Sequence, residues 1–565
     1  MRVGVDDRVV VSDDDGSRVA FTFGKVSKVT KSHVDVHTDT EIVSVLPTTT
    51  PLTSPAASPC SLPFKQRIFR LDKDMTSYGM KIALSNVAKL FVPASAPEGT
   101  SLPERDLERW ARHRRSIVDL ASPVFEAPPD DHAKKMQTLV AKSNMNGGQK
   151  RAMASALAAK DYCLILGMPG TGKTTTITRL VDLLVQCGKS VLIASYTHSA
   201  VDNILLKLQE EDIEFLRVGP INRIHPDIRA RHANTLLESI KTTSGLREAY
   251  SSYNVVASTC LGVKHPVFEY RRFDYCIIDE ASQITQPVCL GPIGMADSFI
   301  LVGDHYQLPP LVQSDEARSK GMGISLFRRL SEAHPRAIVE LEDQYRMNSS
   351  VMRIANAMIY RDRLKCGTAA VASSNLNLAK FELWQSGQDG AAPRPAPWLV
   401  RAVDPTQPVA FLDTARVPGT ETRVGHLVRN DVEAKLVVRL VEHLSAAGLS
   451  ADAIGIISPY RMQLKAIRQQ MGGRFERVEV NTIDKYQGRD KECIILSLVR
   501  SNSSGAIGSL LKDWRRVNVS VTRAKHKLLI VGDGATLVAA HLFRRMLAVI
   551  DAEDWRQVLP PGAHL

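Results

Sequence analysis

The chain has 565 residues, of which 44% are hydrophobic and 23% charged, a composition typical of a soluble globular protein of about three or four domains. No uninterrupted apolar run is long enough to cross a bilayer, and the N-terminus is neither a signal peptide nor an Arg/Ser-rich transit peptide. We therefore exclude a membrane-spanning chain and expect a soluble intracellular protein. The net charge of +12 and the pI of about 9.2 favour a polyanionic partner, with a basic surface that binds nothing as the alternative.

Eight cysteines are spread along the chain, and none forms a C-x-x-C pair. They are Cys60, Cys163, Cys187, Cys260, Cys276, Cys289, Cys366 and Cys493. Several lie in apolar runs of strand length, which predicts small core residues in a reducing compartment. Their spacing does not support a zinc or iron–sulfur site.

The N-terminal part of the chain alternates apolar and polar side chains in short runs. These runs are Arg8–Ser12, Val19–Phe23, His33–His37 and Ile42–Val45. The pattern predicts a small β-barrel within residues 1–62, with a flexible Thr/Ser/Pro-rich loop from Thr48 to Pro63.

A helical stalk or connector is predicted over residues 63–143. Within it, Leu102–Leu120 has helical periodicity and carries five arginines, Arg105, Arg109, Arg112, Arg114 and Arg115. This helix either approaches a phosphate backbone or simply presents a solvated face.

From about residue 145, apolar runs of strand length alternate with helical stretches, which predicts parallel sheets with crossover helices. The first series is Cys163–Leu166, Val191–Ala194, Val255–Ala257, Tyr275–Ile278 and Phe299–Val302. The second series is Val409–Leu412, Ile454–Ile457, Val478–Val480, Cys493–Leu498 and Leu528–Val531. We predict an α/β fold with two tandem parallel-sheet domains, over residues 144–330 and 331–565, and a surface insertion from Gly387 to Pro397.

A P-loop pattern, G-x-x-x-x-G-K-[ST], lies between an apolar run, Tyr162–Leu166, and a helical pattern that begins at Thr175. Its residues are Gly167, Met168, Pro169, Gly170, Thr171, Gly172, Lys173 and Thr174. The glycines allow backbone N–H groups to surround a phosphate chain, and the following helix adds its positive end. Lys173 supplies a charge for the outer phosphates and Thr174 a hydroxyl for Mg²⁺. A Gly-rich turn with a chance lysine is the alternative, but the strand–loop–helix setting favours a nucleoside triphosphate site.

Two adjacent carboxylates, Asp279 and Glu280, end the apolar run that starts at Phe273. A strand in this position would place them at the carboxyl edge of the sheet beside the P-loop. Asp279 is suited to hold Mg²⁺, and Glu280 to accept a proton from the attacking water. An Asp–Glu pair alone is most often a solvated surface feature, and its position after a strand and a P-loop gives it weight.

With these motifs the chain resembles a superfamily 1 helicase, which implies two RecA-like domains. The further matching segments are Asn146–Gln149, Ser195–Leu205, Leu301–Pro310, Gln344–Met347, Val480–Asp490 and Val517–Lys525. The resemblance implies that Gln149 reads adenine, that Gln307 senses the terminal phosphate, and that Arg346 and Arg523 are arginine fingers. It also implies a nucleotide site completed by Pro169, Thr171, Thr175, Tyr345, Gly488 and Asp490, with Tyr345 near the base and Asp490 near the ribose.

The residue sequence of the motifs, including Asp484–Lys491 and Asp513–Asn518, resembles the eukaryotic DNA replication helicase/nuclease family more closely than superfamily 1 helicases in general. That family trims flaps during Okazaki fragment maturation and resects broken ends, and it carries a nuclease domain with a four-cysteine 4Fe–4S cluster ahead of the barrel. Neither the acidic metal ligands nor the cluster cysteines are visible in this sequence, so we expect the helicase portion only. The sequence is then either a fragment or truncated gene model, or a helicase whose nuclease is lost or separate.

The resemblance implies ATP and Mg²⁺ as cofactors, single-stranded DNA at flaps and resected ends as partner, 5′-to-3′ movement, and the nucleus, or also the mitochondrion, as location. Single-strand-binding and flap-processing proteins are implied as further partners, and a membrane is not. The implied DNA contacts are Thr197, Thr259, Pro309, Pro459, Tyr460 and Thr482. A basic stretch from Arg217 to His232 either adds strand contacts or is a solvated loop. The competing interpretations are an RNA helicase of the nonsense-decay type, which shares Gln344–Met347, and an ATP-gated nucleic-acid clamp.

Overall fold

A computed structural model describes residues 8–13, 22–29, 34–38, 69–73, 78–91, 104–240, 242–387, 394–425 and 427–565. The chain divides into two compact units, Met1–Ser85 and Asn86–Leu565.

The first unit contains a four-stranded antiparallel sheet. Its strands are β1 (Arg8–Asp13), β2 (Thr22–Val29), β3 (Val34–Thr38) and β4 (Phe69–Lys73), in the order β3-β2-β1-β4. β1 and β3 confirm predicted strands, whereas β2 shares only Thr22 and Phe23 with the predicted run Val19–Phe23. The rest of that run, the run Ile42–Val45 and the loop Thr48–Pro63 lie outside the described residues. Because β4 pairs with β1, this sheet extends past residue 62, and its closure into a barrel stays a prediction.

Three helices precede the first large sheet: α1 (Tyr78–Lys89), α2 (Glu104–Ile117) and α3 (Asp130–Lys142). The predicted basic helix is α2, and its arginines differ in environment. Arg114 and Arg115 are exposed, as a solvated face requires. Arg109 is only 1% exposed and pairs with Asp106 and Asp297, so neither predicted role applies to it. The name stalk stays a prediction.

Residues 144–341 form the first lobe, built on a seven-stranded parallel sheet. Its strands are β5 (Tyr162–Gly167), β6 (Val191–Ser195), β7 (Leu216–Arg217), β8 (Val255–Thr259), β9 (Phe273–Ile278), β10 (Ala296–Gly303) and β11 (Ile338–Leu341). Their order is β11-β5-β10-β9-β6-β8-β7, so the P-loop strand lies inside the sheet, between β11 and β10. All five strands of the first predicted series are confirmed, and β11 carries the sheet past residue 330. The domain boundaries stay predictions.

The helices of the first lobe connect these strands. They are α4 (Gly147–Ala158), α5 (Lys173–Gln186), α6 (His198–Glu210), α7 (Ala233–Leu236), α8 (Thr243–Ser252), α9 (Val267–Tyr270), α10 (Gln286–Ile293), α11 (Asp315–Ala317) and α12 (Leu326–Ala333). Side-chain caps begin several of these helices. For example, the Thr197 hydroxyl accepts from Ala200 N and caps the start of α6, after the loop that follows β6.

Residues 342–565 form the second lobe, built on a six-stranded parallel sheet with two short ribbons beside it. The strands are β12 (Asp343–Gln344), β13 (Lys365–Cys366), β14 (Val409–Asp413), β15 (Thr422–Val424), β16 (Leu427–Arg429), β17 (Ile454–Ile457), β18 (Glu479–Asn481), β19 (Lys491–Ser497), β20 (Ala524–Gly532) and β21 (Arg556–Val558). The sheet order is β18-β17-β19-β20-β14-β21, and β12–β13 and β15–β16 are the ribbons. The second predicted series is confirmed, and the predicted insertion from Gly387 to Pro397 falls partly outside the described residues.

The helices of the second lobe pack on both faces of its sheet. They are α13 (Ser349–Ala355), α14 (Ala369–Ala372), α15 (Phe381–Ser386), α16 (Pro397–Val403), α17 (Asp431–Ala446), α18 (Arg461–Met471), α19 (Ile483–Tyr486), α20 (Gly508–Lys512), α21 (Trp514–Val521), α22 (Gly534–Leu537) and α23 (His541–Ala552).

One apolar cluster runs without a break from the first lobe into the second. It includes Leu308 and Phe327 on one side and Met347, Tyr360 and Val517 on the other. The lobes are therefore in direct packed contact, which brings the carboxyl edge of the first sheet against α13 and α21. In the described part of the chain, no helix is both long and apolar enough to span a membrane.

Candidate active site

The P-loop joins β5 to α5 and folds as its glycines require. Gly170 and Gly172 have φ of +76° and +78°, the left-handed region that favours glycine. A Cβ on Gly172 would also lie 2.9 Å from Gln149 Nε2, and one on Gly170 would lie 2.7 Å from Arg346 Cβ. The loop is thus closely lined by residues from α4 and from the second lobe. Lys173 starts α5, and its Nζ donates to the Gly167 carbonyl oxygen at 2.9 Å.

The predicted adenine element forms a capping box at the start of α4. The Asn146 side chain accepts from Gln149 N at 2.8 Å, and Gln149 Oε1 accepts from Asn146 N at 3.2 Å. Gln149 Nε2 donates to the carbonyl oxygen of the P-loop residue Thr171 at 3.4 Å. Asn146 Nδ2 donates to the hydroxyl of Tyr345 in the second lobe at 2.9 Å. The two residues predicted to contact the base, Gln149 and Tyr345, therefore belong to different lobes and are connected through Asn146.

Asp279 and Glu280 directly follow β9, at the carboxyl edge of the sheet, as predicted. One strand, β10, lies between β9 and the P-loop strand β5. Burial and the adjacent Glu280 raise the pKa of the Asp279 carboxyl, while Lys173 acts in the opposite direction. A divalent cation would relieve this destabilised negative charge. Glu280 has a φ of +53°, uncommon for a residue with a side chain, and its Oε2 accepts from Gln283 Nε2 at 2.6 Å.

Gln307 is buried, and its Nε2 donates to Asp304 Oδ2 at 2.8 Å. Asp304 N donates to the hydroxyl of Ser282 at 3.2 Å, which connects this segment to the loop after Glu280. The segment that carries the predicted phosphate sensor is thus bonded to the loop that follows the predicted base.

Arg346 reaches the P-loop from the second lobe. The backbone of the preceding residue, Tyr345 N, donates to the Gly170 carbonyl oxygen at 2.8 Å. Gln344 Oε1 accepts from the backbone N–H groups of Arg346 and Met347, and this shapes the turn that presents the arginine. The Arg346 guanidinium pairs with Asp490, whose Oδ2 lies 3.0 Å from Arg346 Nε.

Three predicted residues, Tyr345, Arg346 and Asp490, line one cavity of about 510 Å³. The other residues of its wall, which the sequence did not indicate, are Ala370, Val371, Ser374, Lys525 and His526. The predicted Gly488 lies two residues before Asp490, with a φ of +78°.

Arg523 follows α21 and is buried, with an exposed fraction of 2%. Its Nε donates to the Val519 carbonyl oxygen at 2.9 Å, and its Nη2 to the Thr522 hydroxyl at 2.9 Å. Burial and the nearby charge of Arg346 lower the pKa of Arg523 to about 9, while Glu280 raises it. The guanidinium therefore lies within electrostatic range of Glu280, in a place where an anion would stabilise its charge.

The predicted DNA contacts differ in accessibility. Thr197 and Pro309 are exposed and Thr482 is half-buried, whereas Thr259, Pro459 and Tyr460 are buried. The Tyr460 ring packs with Val428 and Val499, and its hydroxyl donates to the Ile507 carbonyl oxygen at 3.3 Å. Its face is therefore covered rather than open to a base, and the DNA-contact roles of all six residues stay predictions.

The basic stretch from Arg217 to His232 needs a correction at its first residue. Arg217 is fully buried and its Nε pairs with Asp202 Oδ1 at 2.9 Å, so it offers no contact to a nucleic acid. Arg223 and Arg229 are exposed, and Arg231 pairs with Glu214. The pattern of the sequence could not distinguish these cases, because the partners of Arg217 and Arg231 come from other elements.

The donor set fits the implied nucleotide and cation. Backbone N–H groups at the start of α5, together with Lys173, suit the phosphates, while the Thr174 hydroxyl and Asp279 are hard oxygen ligands of the kind Mg²⁺ takes. Five of the described cysteines, Cys163, Cys260, Cys276, Cys289 and Cys493, are buried, as predicted for core residues, and Cys60 lies outside the described residues.

Comparison with known proteins finds similar sequences over most of the chain. Two AAA domain families match the chain, one over residues 144–246 and 238–315, and the other over residues 322–535. The DNA replication ATP-dependent helicase/nuclease DNA2 of Xenopus laevis is 42% identical over 567 residues, covering 99% of this chain and 50% of that protein. The chain belongs to the DNA replication helicase/nuclease family.

Other members of the helicase/nuclease family give the same result. The human protein of the same name is 42% identical over 574 residues, covering 99% of this chain and 50% of its own length. The Arabidopsis thaliana relative JHS1 is 44% identical over 454 residues, covering 80% of this chain and 33% of that protein. This chain spans about half the length of the first of these relatives. A solved arterivirus nonstructural protein 10 helicase has a TM-score of 0.33 and 16% identity, over 68% of this chain and 61% of that one.

Proposed function

We propose that this chain hydrolyses ATP to move 5′ to 3′ along single-stranded DNA and to separate duplexes. The observation that carries the proposal is the meeting of the two lobes at the P-loop. Tyr345 N bonds to Gly170 O, and Arg346 follows directly. Residues suited to bind a triphosphate therefore face residues suited to stabilise its transition state.

Each lobe contributes a different part of the hydrolysis. The first lobe binds the phosphates with the P-loop backbone and Lys173, with Thr174 and Asp279 placed to hold Mg²⁺, which neutralises phosphate charge when bound. Glu280 accepts the proton of the attacking water, and Gln307 senses the terminal phosphate.

The second lobe supplies Arg346 and Arg523 for the charge that develops on the transferred phosphoryl group. An arginine finger contributes roughly 10³–10⁵ in rate. Because this stabilisation acts only at short range, hydrolysis requires closed lobes.

Alternation between closed and open arrangements of the lobes would change how tightly each lobe binds a DNA strand that lies across both. Exposed Thr197 and Pro309 in the first lobe and half-buried Thr482 in the second are the accessible candidates for strand contact. Backbone and base-face contacts predict binding that weakens with salt and shows little sequence preference. By family membership, the biological substrates would be flaps and resected ends in the nucleus.

An RNA helicase and an ATP-gated clamp are the competing functions. Stimulation of ATP hydrolysis by matched DNA and RNA oligonucleotides separates the first from a DNA enzyme. A strand-displacement assay with 5′-tailed and 3′-tailed duplexes separates a clamp from a translocase, and also tests direction.

The deciding experiment is ATP hydrolysis by Lys173→Ala with and without single-stranded DNA. We expect turnover to be lost while the fold is retained. Lys160→Ala is the matched control, because Lys160 is exposed on the same lobe and pairs only with the exposed Glu126 among the described ion pairs. Appreciable turnover by Lys173→Ala would reject the P-loop assignment.

A further inference from the structure

The Asp304 carboxylate is a buried junction between the two lobes. It lies directly after β10 and is 1% exposed. Its Oδ2 accepts from Gln307 Nε2 and from the Tyr360 hydroxyl, each at 2.8 Å, and its Oδ1 accepts from Tyr306 N at 2.9 Å. Gln307 belongs to the first lobe and Tyr360 to the second, so the carboxylate connects the predicted phosphate sensor to the opposite lobe.

Tyr360 ends the π-helical turn Asn356–Tyr360 that follows α13, and its side chain is fully buried. Its hydroxyl donates to Asp304 and accepts from Asn518 Nδ2 at 2.8 Å. Burial and the nearby Asp304 carboxylate raise the pKa of Tyr360 well above its ordinary value, so the hydroxyl keeps the proton that it donates.

Asn518 continues the connection into α21. Its Nδ2 also donates to the Tyr306 carbonyl oxygen at 2.8 Å, which gives a second bond across the lobes. The main-chain carbonyl oxygen of Asn518 accepts from the Thr522 hydroxyl at 2.8 Å, and that hydroxyl accepts from Arg523 Nη2 at 2.9 Å. Hydrogen bonds therefore run from Gln307 through Asp304 and Tyr360 to the Asn518 side chain, and the backbone of α21 continues the connection to Thr522 and Arg523.

We propose that Tyr360 is a positioning residue that links the orientation of Gln307 to the placement of Arg523, so that both groups are in position at the nucleotide at the same time. The proposal rests on the ATP hydrolysis proposed above. It identifies a contact that couples the catalytic groups of the two lobes. Tyr360 is fully buried, and it would act through its two partners, Asp304 and Asn518.

The hydroxyl, rather than the ring, carries this role. Phenylalanine would keep the packing in the apolar cluster and the edge-on contact with the Tyr306 ring, whose centroid lies 5.7 Å away. It would remove one donor from Asp304 and one acceptor from Asn518. Buried polar networks of this kind are sensitive to the loss of one member, and small misplacements of catalytic groups cost large factors in rate.

The test compares Tyr360→Phe with Tyr162→Phe. Tyr162 is equally buried in the first lobe, but its hydroxyl has no hydrogen-bond partner among the described residues. We expect kcat for DNA-stimulated ATP hydrolysis to fall at least about tenfold in Tyr360→Phe, with KM for ATP changed less than about twofold. Tyr162→Phe should leave both values within about twofold of the wild type.

A second variant keeps the result interpretable if folding is affected. Asn518→Ala breaks the same series of bonds from the other side, and the double variant should lose no more kcat than the worse single variant, because both act on one link. Hydrogen exchange gives a readout independent of turnover. ATP should still protect residues 167–175 in Tyr360→Phe, but should no longer change protection over residues 514–523.

The outcomes separate the two proposals. A Tyr360→Phe enzyme that matches Tyr162→Phe in kcat and in exchange rejects the positioning role alone. A fall in kcat with additive loss in the double variant also rejects it, because the two residues would then act independently. A wild-type chain whose residues 167–175 gain no protection from ATP rejects the proposed function and this inference together.

Discussion

Arg346 and Asp490 form an ion pair inside the second lobe, with Arg346 Nε 3.0 Å from Asp490 Oδ2. Arg346 Nη1 also donates to the Thr522 carbonyl oxygen at 3.3 Å, and Lys525 Nζ lies 3.5 Å from Asp490 Oδ1. The arginine proposed to contact the transferred phosphate is thus held by a carboxylate that must release it. Asp490 therefore has a second role to test besides the ribose contact implied by resemblance.

Replacement of Asp490 by Asn should make ATP binding tighter. The pair is partly exposed, with side chains 19% and 30% accessible, so we assign it no more than about 1 kcal/mol, or about fivefold in affinity. Titration with a non-hydrolysed ATP analogue measures the change, and Asp452→Asn is the control, since Asp452 pairs with Arg477 on the exposed surface.

The ribose role predicts a different result for the same variant. If Asp490 acts only on the ribose, Asp490→Asn will bind the ATP analogue more weakly and the 2′-deoxy analogue as before. That outcome would contradict the release of Arg346.

Arg523→Lys should keep nucleotide affinity within about threefold and lower hydrolysis by about 10³. Lysine keeps the positive charge, but it cannot reproduce the planar fork that now bonds to Val519 O and the Thr522 hydroxyl. Single-turnover hydrolysis together with analogue binding separates the two quantities. Loss of binding with normal single-turnover hydrolysis would assign Arg523 to ground-state binding.

The sequence predicted the regular parts of this fold because its strands are short apolar runs between turn residues. Val191–Ala194 and Ile454–Ile457 are such runs, and both are buried central strands. The exposed ribbon of Thr422–Val424 and Leu427–Arg429 has no such pattern and was not predicted. Pairing between edge strands depends on neighbours that a local pattern does not contain.

Motif spacing predicted candidate site residues but not how they contact each other. Lys173 and Asp279 follow the strands from which they were predicted to project, and Arg346 follows a turn, while their roles stay predictions. Tyr360 and Asn518 carry no signature of their own, because their role comes from contacts 56 and 212 residues away along the chain, to Asp304 and Tyr306. The burial of Tyr460 has the same explanation, since Val428 and Val499 cover it from other elements.

Arg109→Ala should destabilise the chain by about 2 to 3 kcal/mol. Arg109 is almost fully buried, and its removal takes one of two arginine partners from Asp106, which keeps Arg272, and the nearer of two from Asp297, which keeps Arg112. We place the estimate below the range for fully buried pairs because Asp297 is 31% exposed.

Chemical denaturation measures this change, with Arg114→Ala on the exposed face of the same helix as control. Equal denaturation midpoints for the two variants would show that the charge pattern of α2, rather than the buried contacts of Arg109, determines the change in stability.

Glu433→Gln should stabilise the chain, and more so at higher pH. Glu433 is buried in α17, and its Oε2 accepts from the Ser497 hydroxyl at 2.7 Å and from Val499 N at 2.9 Å. In the part of the chain that the structure describes, Oε1 has no hydrogen-bond partner. Burial raises the pKa of its carboxyl to about 8, although those two hydrogen bonds act in the opposite direction.

The direction of the pH effect follows from proton linkage. Between the ordinary glutamate pKa of roughly 4.3 and pH 8, the folded state holds a proton that the unfolded state has released, so this group makes the wild type less stable as pH rises. Glutamine keeps an oxygen on Ser497 and Val499 and carries no charge, so its advantage should be small near pH 5 and should grow up to about pH 8.

Thermal unfolding of wild type and Glu433→Gln across this range measures the difference. Glu421→Gln is the control with the opposite sign, because hydrogen bonds from Arg500 and Asn502 outweigh burial and lower the pKa of Glu421. That variant should lose stability, and the loss should shrink only when the pH falls below the ordinary glutamate pKa. A constant difference between Glu433→Gln and wild type from pH 5 to 8 would mean that Glu433 is ionised in the folded chain.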